Sequence, residues 1–377
     1  MAGLIVSCAC FALGLAYFLL IHWVLRHWNA LPVFEAVTDL PSPSTTVLVA
    51  ARNEAANISL CLRALSRQSY PAGRLQIVVI DDHSTDATAA IVAQHPFPNL
   101  TLLRLPDGRY GKKAALELGA ATTQSAIILT TDADCQPPTD WVWHQVQHLQ
   151  SGQLNASTGP VVLTGTDSAL FRFQALDMAG MMVLTAVGLR TNTWTLGNGA
   201  NLAYYRAAFE EVGGYTGNRA TASGDDIFLI AKINTLHPYQ VQFLKNANAA
   251  VPTPAAPGWR AFFRQRLRWG TKNAAAPASA GTTLALGIAF LLSWSIVLSP
   301  LLFFWVGKVA LLLFVLLLAL KSWADYHLLK TASRFFGQPR LLKSFAVSEL
   351  LHIAYIALTG IASLLIRQYR WKGRTVR

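Results

Sequence analysis

The chain has 377 residues, of which 53% are hydrophobic and only 13% are charged, and its formal net charge is +12. A typical soluble domain carries about a quarter charged residues, so this composition excludes a protein that faces water over its whole surface. The positive charge does not indicate nucleic acid as a partner. It is concentrated beside long apolar segments, where the anionic headgroups of a lipid bilayer attract basic side chains.

Apolar segments near both ends of the chain are long enough to cross a bilayer. Residues 4–25 carry no formal charge and have no basic segment before them, so they predict a transmembrane anchor over residues 1–28 rather than a cleaved signal peptide. Residues 282–329 are long enough for two spans, and residues 345–366 form a further candidate. Together they predict a C-terminal membrane region over residues 282–366.

The basic residues predict the orientation of these segments. Arg26, the stretch 260–272 and the tail 367–377 carry much of the positive charge, and such loops favour the cytoplasmic side. We therefore expect a multi-pass protein of the cell (inner) membrane with its globular domain in the cytoplasm. Three full spans after that domain would export the tail, so we expect residues 345–366 to be re-entrant or broken near Gly360. The alternative is that the charge rule fails there.

The segment between the membrane regions, residues 44–255, has mixed polarity and predicts one globular domain. β-Branched and apolar runs predict strands at 45–50, 75–80, 100–104 and 126–129. Helices are predicted to begin near Arg52, Ser84 and Lys112. This alternation predicts an α/β fold with a mainly parallel sheet, right-handed crossovers and helices on both faces.

Acidic residues follow two of the predicted strands. Asp81 and Asp82 end the second strand, and Asp132 and Asp134 follow the fourth. Ligands of parallel sheets bind beyond the carboxyl ends of the strands. Two carboxylates one residue apart form a compact site for a hard divalent cation, which commonly bridges a diphosphate. We therefore predict a Mg²⁺ or Mn²⁺ site at Asp132 and Asp134.

Several familiar nucleotide motifs are missing from the sequence. No Gly-x-Gly-x-x-Gly follows the first strand, and no Gly-x-x-x-x-Gly-Lys-Ser/Thr loop occurs. Neither dinucleotide redox chemistry nor ordinary ATP hydrolysis is supported. The charge of a bound phosphate would have to be met by a metal and by cationic side chains, for which Lys112 and the later arginines are candidates.

A stretch beyond the domain predicts an amphipathic helix at the membrane interface, over residues 256–273. Trp259, Phe262, Phe263 and Leu267 recur at helical spacing on one face. Arginines on such a helix can extend towards water as a plain anchor, or they can reach a ligand site.

The order of these motifs resembles the membrane-associated, inverting glycosyltransferases of family 2, which have the GT-A fold. The resemblance covers about residues 44–270. The matching segments are Val49 to Glu54, Val79 to Asp86, Gly111-Lys112, Asp132-Ala133-Asp134, Gly197 to Asn201, Ser223 to Asp226 and Gln265-Arg266-Leu267-Arg268-Trp269. His83 stands where the family commonly has glycine.

The resemblance implies a role for each matching residue. The implied donor-binding residues are Asn53, Glu54, Asp81, Asp82, Lys112, Asp132, Gln265, Arg268 and Trp269. It implies that Asp132 and Asp134 bind the metal. It also implies that Asp226, or otherwise Asp225, is the base that takes the proton of the acceptor hydroxyl. The alternative for Asp226 is a capping role at a helix N-terminus.

The expected activity is that of an inverting hexosyltransferase. It would move a sugar from a nucleotide-diphospho-sugar, a UDP-sugar, to a lipid or lipid-linked acceptor at the cytoplasmic membrane face. One alternative is a processive polysaccharide synthase, but the gating-loop signature of such enzymes is not evident between Asp226 and Gln265. The others are a nucleotidyltransferase and a catalytically silent membrane scaffold.

Overall fold

The computed structural model describes residues 2–36, 40–217, 224–275, 279–365, 369–371 and 374–376. The helices are α1 Ala2–Ala30, α2 Ile58–Leu65, α3 Thr88–Ala93, α4 Lys112–Thr122, α5 Trp141–Ser151, α6 Ala169–Thr191, α7 Arg206–Glu211, α8 Asp225–Leu236, α9 Trp259–Ala275, α10 Ala280–Leu298, α11 Phe303–Val306, α12 Lys308–Phe335 and α13 Phe345–Leu365. The strands are β1 Thr45–Ala51, β2 Leu75–Asp81, β3 Leu100–Arg104, β4 Ile127–Asp132, β5 Ala156–Thr158, β6 Val161–Thr164, β7 Leu202–Tyr205, β8 Val241–Phe243, β9 Val251–Pro254, β10 Tyr369–Trp371 and β11 Arg374–Val376.

The chain divides into two compact units. The helical unit consists of Met1–Leu31, Thr166–Val187 and Ala256–Arg367. The sheet unit consists of Pro32–Gly165, Gly188–Ala255 and Gln368–Arg377. The segment Thr166–Val187, which we expected inside the domain at 44–255, thus belongs to the helical unit. The predicted domain boundaries themselves stay a prediction.

The sheet unit contains a seven-stranded sheet in the order β3-β2-β1-β4-β7-β5-β8. Strands β3, β2, β1 and β4 are parallel, β7 runs antiparallel to β4 and β5, and β8 is parallel to β5. Consecutive residues Val47, Leu48 and Val49 are all fully buried, as expected for a strand covered on both faces. The predicted α/β fold with a mainly parallel sheet is confirmed.

The register of the central strands brings the acidic residues together. Ala51 of β1 pairs with Asp81 of β2, and Ala50 pairs with Asp132 of β4. The carboxylates that end β2 and β4 therefore flank the end of β1. Helix α4 approaches the sheet closely there, since a Cβ on Gly119 would lie 2.9 Å from both Leu48 and Ile80.

One predicted helix start is wrong by several residues, since the helix expected from Arg52 begins at Ile58. The helix expected to be capped by Ser84 to Asp86 begins at Thr88, whose N–H donates to Asp86 Oδ1 at 3.0 Å. Asn53 and His83 have φ angles of 50° and 55°, in the left-handed region. A residue in that region cannot continue a right-handed helix, so both loops extend further beyond the sheet than their sequences suggested.

The helical unit contains helices that are long and apolar enough to cross a membrane. Among the described residues there are five such segments. They are Gly3–Ala30, Ala169–Thr191, Ala280–Val306, Lys308–Phe335 and Pro339–Ala362. The second segment, Ala169–Thr191, was not predicted as a span. In its apolar 18-residue stretch 67% is buried within the protein, against 22–33% in the corresponding stretches of the other four segments.

Helix α13 runs without interruption through Gly360, so the predicted break near this residue is wrong. A Cβ at Gly360 would lie 2.4 Å from the ring of Phe290 on α10. The glycine therefore allows two helices to approach closely instead of ending one. With 21 residues at about 1.5 Å each, α13 is about 30 Å long, which is enough to cross a bilayer.

Two predicted segments fall partly outside the described residues. Ser223 and, in the basic tail at 367–377, Arg367, Lys372 and Arg377 lie there. Of this tail the structure describes β10 and β11, which pair antiparallel.

Candidate active site

The loop after β1 is tied to the loop after β2. Arg52 Nη1 donates a hydrogen bond of 2.6 Å to the main-chain oxygen of Asp82. The Asn53 N–H donates to Ser84 Oγ at 3.0 Å, and Asn53 Oδ1 accepts from the Thr85 N–H at 2.8 Å. Arg52 thus positions the backbone of both loops.

Glu54 lies at the start of the same loop system. Its N–H donates to Thr88 Oγ1 at 2.8 Å, and its carboxylate accepts a 2.9 Å hydrogen bond from Asn57 Nδ2. Asn53 is exposed and Glu54 is partly buried. Both side chains lie beyond the carboxyl end of β1, where the predicted donor site is located.

Asp82 is 2% exposed and connects β2 to the start of α4. Its Oδ2 accepts a 3.1 Å hydrogen bond from the N–H of Gly111. Gly111 has a φ of 92°, a conformation that other residues rarely adopt. Because Lys112 follows directly, Asp82 fixes the turn from which the lysine extends. Asp81, 5% exposed, accepts a weaker 3.3 Å bond from the Ser84 N–H.

Lys112 joins two carboxylates that are distant in sequence. Its Nζ lies 2.6 Å from Asp132 Oδ1 and 3.0 Å from Asp225 Oδ2. Burial alone would lower the pKa of Lys112, but the negative charges of Asp132, Asp225 and Asp226 outweigh it and raise the pKa. The lysine therefore stays charged at the centre of an acidic site.

Gly199 lies against this ion-pair cluster. A Cβ at Gly199 would lie 2.9 Å from Asp225 Oδ2 and 3.0 Å from Lys112 Nζ. The Gly199 N–H donates to Asp226 Oδ2 at 3.1 Å, and Thr130 Oγ1 donates to the Gly199 carbonyl at 2.8 Å. A side chain at this position would force the lysine and the carboxylates apart.

Asp225 and Asp226 occupy the first turn of α8, and both are buried, at 7% and 8% exposed. The N-cap position belongs to Gly224, whose φ is 88°. Asp226 Oδ2 accepts from Gly199, and its Oδ1 accepts from the Ile227 N–H at 2.7 Å. Asp226 is therefore not the N-cap residue itself, although its carboxylate accepts a backbone N–H of the first turn, and its role as a base stays a prediction.

Residues 46–213 match the family model described as Glycosyl transferase family 2. The chain carries a family 2 glycosyltransferase domain. This confirms the resemblance inferred from the motifs.

Relatives of this family 2 domain carry glycosyltransferase names. The chain is 28% identical over 239 residues to the probable glycosyltransferase YdaM of Bacillus subtilis, covering 61% of this chain and 55% of that protein. It is 30% identical over 241 residues to the beta-monoglucosyldiacylglycerol synthase of Synechocystis sp., covering 62% and 48%. The chain thus spans about half the length of these curated relatives.

A solved structure shares the fold. The mannosyltransferase PcManGT from Pyrobaculum calidifontis, in complex with GDP-Man and Mn²⁺, superimposes with a TM-score of 0.59 at 22% sequence identity. The match covers 94% of this chain and 98% of that chain. The likeness shows that the fold is of the GT-A type.

The family 2 domain has a donor set that fits a divalent cation. Asp132, Asp134 and Cys135 can each offer a ligand atom, and these atoms lie within 4.8 Å of one another. Carboxylate oxygens are the ligands that Mg²⁺ and Mn²⁺ prefer. Burial, helped by the two neighbouring carboxylates, raises the pKa of the Cys135 thiol well above its usual value. Thiolate sulfur is a ligand for softer metals than these two. The fit therefore rests on Asp132 and Asp134.

The remaining predicted donor-binding residues, Gln265, Arg268 and Trp269, lie on α9 in the helical unit. Their predicted contact with a donor stays a prediction. The helix is less simply amphipathic than expected, because Phe262 is fully buried whereas Trp259 and Phe263 are 42% and 37% exposed.

Two residues of structural importance lie within the matching segments but received no individual role from the sequence. Arg266 of α9 is 3% exposed, lies 2.5 Å from Asp177 Oδ2 and stacks 4.3 Å from the ring of Trp269. Its position within the Gln-x-x-Arg-Trp segment was the available signal, but a partner in α6 cannot be inferred from spacing.

The other is Asn201, which is fully buried. Its Nδ2 donates to the carbonyl oxygens of Pro160 and Ala249 at 2.7 and 2.9 Å. Its Oδ1 accepts from Trp141 Nε1 at 2.7 Å and from Gln145 Nε2 at 2.6 Å. The side chain satisfies its hydrogen-bonding capacity internally, and it thereby fixes the end of the loop that contains Gly199.

Proposed function

We propose that the protein is an inverting glycosyltransferase that moves a sugar from a nucleotide-diphospho-sugar to a hydroxyl group of a membrane lipid or lipid-linked acceptor. The observation that carries the proposal is the cluster of Lys112, Asp132, Asp225 and Asp226 around Gly199. The cluster holds the ammonium group of Lys112, the carboxylate of Asp132 at the predicted metal site, and the carboxylates of Asp225 and Asp226, which are the two candidates for the base. Family 2 membership of the domain supports this class of reaction.

Asp226 is the proposed base. The acceptor oxygen attacks the anomeric carbon of the donor, the bond from that carbon to the diphosphate oxygen breaks, and the hydroxyl proton passes to Asp226. Asp225 is the second candidate, because one of its carboxylate oxygens is already engaged by the Lys112 ammonium group at 3.0 Å. The backbone N–H of Gly199 orients the Asp226 carboxylate.

Lys112 is proposed to stabilise the leaving diphosphate, which gains negative charge as the sugar departs. Asp132 and Asp134 would hold the divalent cation, which would supply further positive charge to the same diphosphate. The nucleoside is proposed to bind beyond the carboxyl ends of β1 and β2, beside Asn53, Glu54, Asp81 and Asp82. Gln265, Arg268 and Trp269 are proposed to complete the donor site from α9.

The acceptor is proposed to be a lipid, and the protein to be a multi-pass protein of the cell (inner) membrane with the family 2 domain in the cytoplasm. Five helices among the described residues are long and apolar enough to span a bilayer. One relative is named a beta-monoglucosyldiacylglycerol synthase. Both observations support transfer to an acceptor dissolved in the membrane.

Product analysis tests this function. The full chain in lipid nanodiscs is incubated with Mg²⁺ or Mn²⁺, membrane lipids and a panel of radiolabelled UDP- and GDP-sugars. We expect a discrete lipid-soluble species that carries one or a few sugars. A long water-soluble polymer would favour a processive synthase, and release of pyrophosphate from nucleotide and sugar phosphate would favour a nucleotidyltransferase. Absence of any labelled product from every donor would contradict the proposal.

A further inference from the structure

The helical unit contains an apolar cavity, and none of the described residues that line it belongs to the candidate active site. It comprises about 570 Å³ of empty space, part of it open to its surroundings. Aliphatic side chains such as Ile21, Leu176, Leu184 and Leu328 form much of its wall. Such a wall favours a hydrocarbon chain over a sugar or a peptide, because neither could satisfy its polar groups there.

Part of the cavity lining is polar. The polar lining residues are Tyr17, Asp177, Asp325, Ser348, Glu349 and His352. The described residues that line the cavity include neither lysine nor arginine. The polar part of the lining therefore presents carboxylates, hydroxyls and an imidazole.

The basic partners of these carboxylates contact them from outside the lining. Lys321 Nζ lies 2.6 Å from Asp325 Oδ2 and 2.9 Å from Glu349 Oε1. Arg266 Nη2 lies 2.5 Å from Asp177 Oδ2. Both cations are thus engaged with acids of the protein. A phosphate group entering the cavity would meet carboxylates without a lining cation, so an anionic headgroup is disfavoured.

Ser348 gives the second indication of a ligand. It lines the cavity, is 4% exposed, and its Oγ has no hydrogen-bond partner among the described residues. Buried hydroxyl groups in proteins are almost always hydrogen-bonded, so an unpartnered one beside an empty space indicates a missing polar group. A hydroxyl of a ligand could donate to it or accept from it.

We propose that this cavity binds the hydroxyl-bearing end of a neutral lipid. The aliphatic wall takes the first part of the hydrocarbon chain, and the lipid hydroxyl pairs with Ser348 Oγ and the neighbouring carboxylates. This lipid would be the sugar acceptor, a step that rests on the proposed function. The binding of the lipid to the cavity does not rest on it.

Lipid binding to the full chain tests the proposal without any catalytic readout. The protein is placed in phosphatidylcholine nanodiscs, and the binding of dioleoylglycerol and of dioleoyl phosphatidic acid is measured by native mass spectrometry. The two probes share their acyl chains and differ in the phosphate. We expect dioleoylglycerol to bind at least about tenfold more tightly, since an unpaired phosphate charge is costly to bury. Equal binding, or preference for phosphatidic acid, would overturn the inference.

Ser348→Ala is the decisive variant, because it removes a hydroxyl that contributes no bond within the protein. We expect it to leave thermal stability unchanged and to weaken dioleoylglycerol binding about five- to tenfold, the loss of one hydrogen bond. Ser293→Ala is the matched control, since Ser293 is a fully buried serine of α10 whose hydroxyl bonds its own helix. Equal binding by wild type and Ser348→Ala would contradict the assignment.

A cavity-filling variant gives an independent readout. Gly180 lines the cavity, and a Cβ there would lie 3.2 Å from Leu329 Cδ2, a contact that a flexible side chain can relieve. Gly180→Leu should abolish dioleoylglycerol binding, and unchanged binding would contradict the inference. If this variant does not fold, the lipid binding of Ser348→Ala decides the question.

The two proposals can fail separately. Lipid binding without sugar transfer would overturn the proposed function alone, and transfer to a lipid that never binds this cavity would overturn this inference alone.

Discussion

The ammonium group of Lys112 lies 3.0 Å from Asp225 Oδ2, although 113 positions separate the two residues in the chain. The same nitrogen lies 2.6 Å from Asp132 Oδ1. One lysine therefore connects the end of a central strand to the start of α8. The adjacent Asp226 also acts on this lysine through its negative charge, and its carboxylate accepts from the Gly199 N–H.

Lys112→Met should lower sugar transfer by at least about 100-fold, because a fixed cation at a departing diphosphate contributes on this scale. Initial rates with saturating donor provide the measurement. Lys113→Met is the control, since Lys113 is the next residue, is buried, and has its ammonium group 5.0 Å from the centre of the Phe228 ring. A similar loss in both variants would indicate a structural role for Lys112.

Gly199→Ala tests the crowding around the cluster. The new Cβ would lie 3.0 Å from Lys112 Nζ and 2.9 Å from Asp225 Oδ2, so one of the two must move. Since small misplacements of catalytic groups cost about 100-fold, we expect a loss of transfer of that order with little change in melting temperature. Gly73→Ala is the control, because no atom lies within 4 Å of its added Cβ. Normal transfer by Gly199→Ala would show that the cluster is not catalytic.

Metal dependence follows from the two carboxylates after β4. Asp134→Asn removes one charge from a cation site with few protein ligands, and transfer should fall to background while the protein stays folded. Excess EDTA should have the same effect on wild type, reversed by Mg²⁺ or Mn²⁺. Cys135→Ser is the control and should keep at least about half of the activity, since Mg²⁺ and Mn²⁺ prefer oxygen ligands to sulfur. Undiminished transfer in EDTA would rule out the metal.

Stability should depend on pH through His148. This residue is 8% exposed, its Nδ1 lies 2.7 Å from Ser157 Oγ, and burial lowers its pKa from 6.5 to about 4. The folded protein keeps the ring neutral, whereas the unfolded chain binds a proton below pH 6.5. The stabilisation is therefore complete above pH 6.5 and is lost as the pH falls towards 4.

The variant His148→Gln measures this contribution. Between pH 7 and pH 5 the wild type should lose about 2 kcal/mol more stability than the variant, at about 1.4 kcal/mol per pH unit below 6.5. Unfolding in the same detergent at both pH values provides the measurement. Equal losses in the two proteins would show that the ring is not held neutral.

Much of the sheet was predictable from the sequence. The strands after Ser44 and Arg74 are apolar, β-branched runs, and acids at their ends followed directly from the parallel arrangement. The conformations of Asn53 and His83 were not predictable, because both are polar residues that are common in helices and loops alike. Their left-handed φ angles are fixed by hydrogen bonds between two loops that are about 30 positions apart.

The ion-pair partners of the buried charged side chains could not be predicted from the sequence either. Glu349 and Lys321 were visible as polar interruptions of apolar segments, but nothing in their spacing indicated that they form an ion pair of 2.9 Å. The same holds for Arg266 and Asp177. Such pairs form between helices, and which helices pack together depends on the whole helical unit. The sequence therefore indicates only that each buried charge is costly, not which residue pairs with it.

The most direct test compares Asp226→Asn with Asp225→Asn for transfer of labelled sugar into the lipid fraction, with donor binding measured in parallel. We expect Asp226→Asn to lose at least about 100-fold in transfer while it binds the donor normally, because only proton removal is affected. Asp225→Asn should retain more activity, with a loss that reflects the displaced Lys112. Full transfer by Asp226→Asn would contradict the account. If Asp226→Asn were fully active and Asp225→Asn inactive, the base would be Asp225.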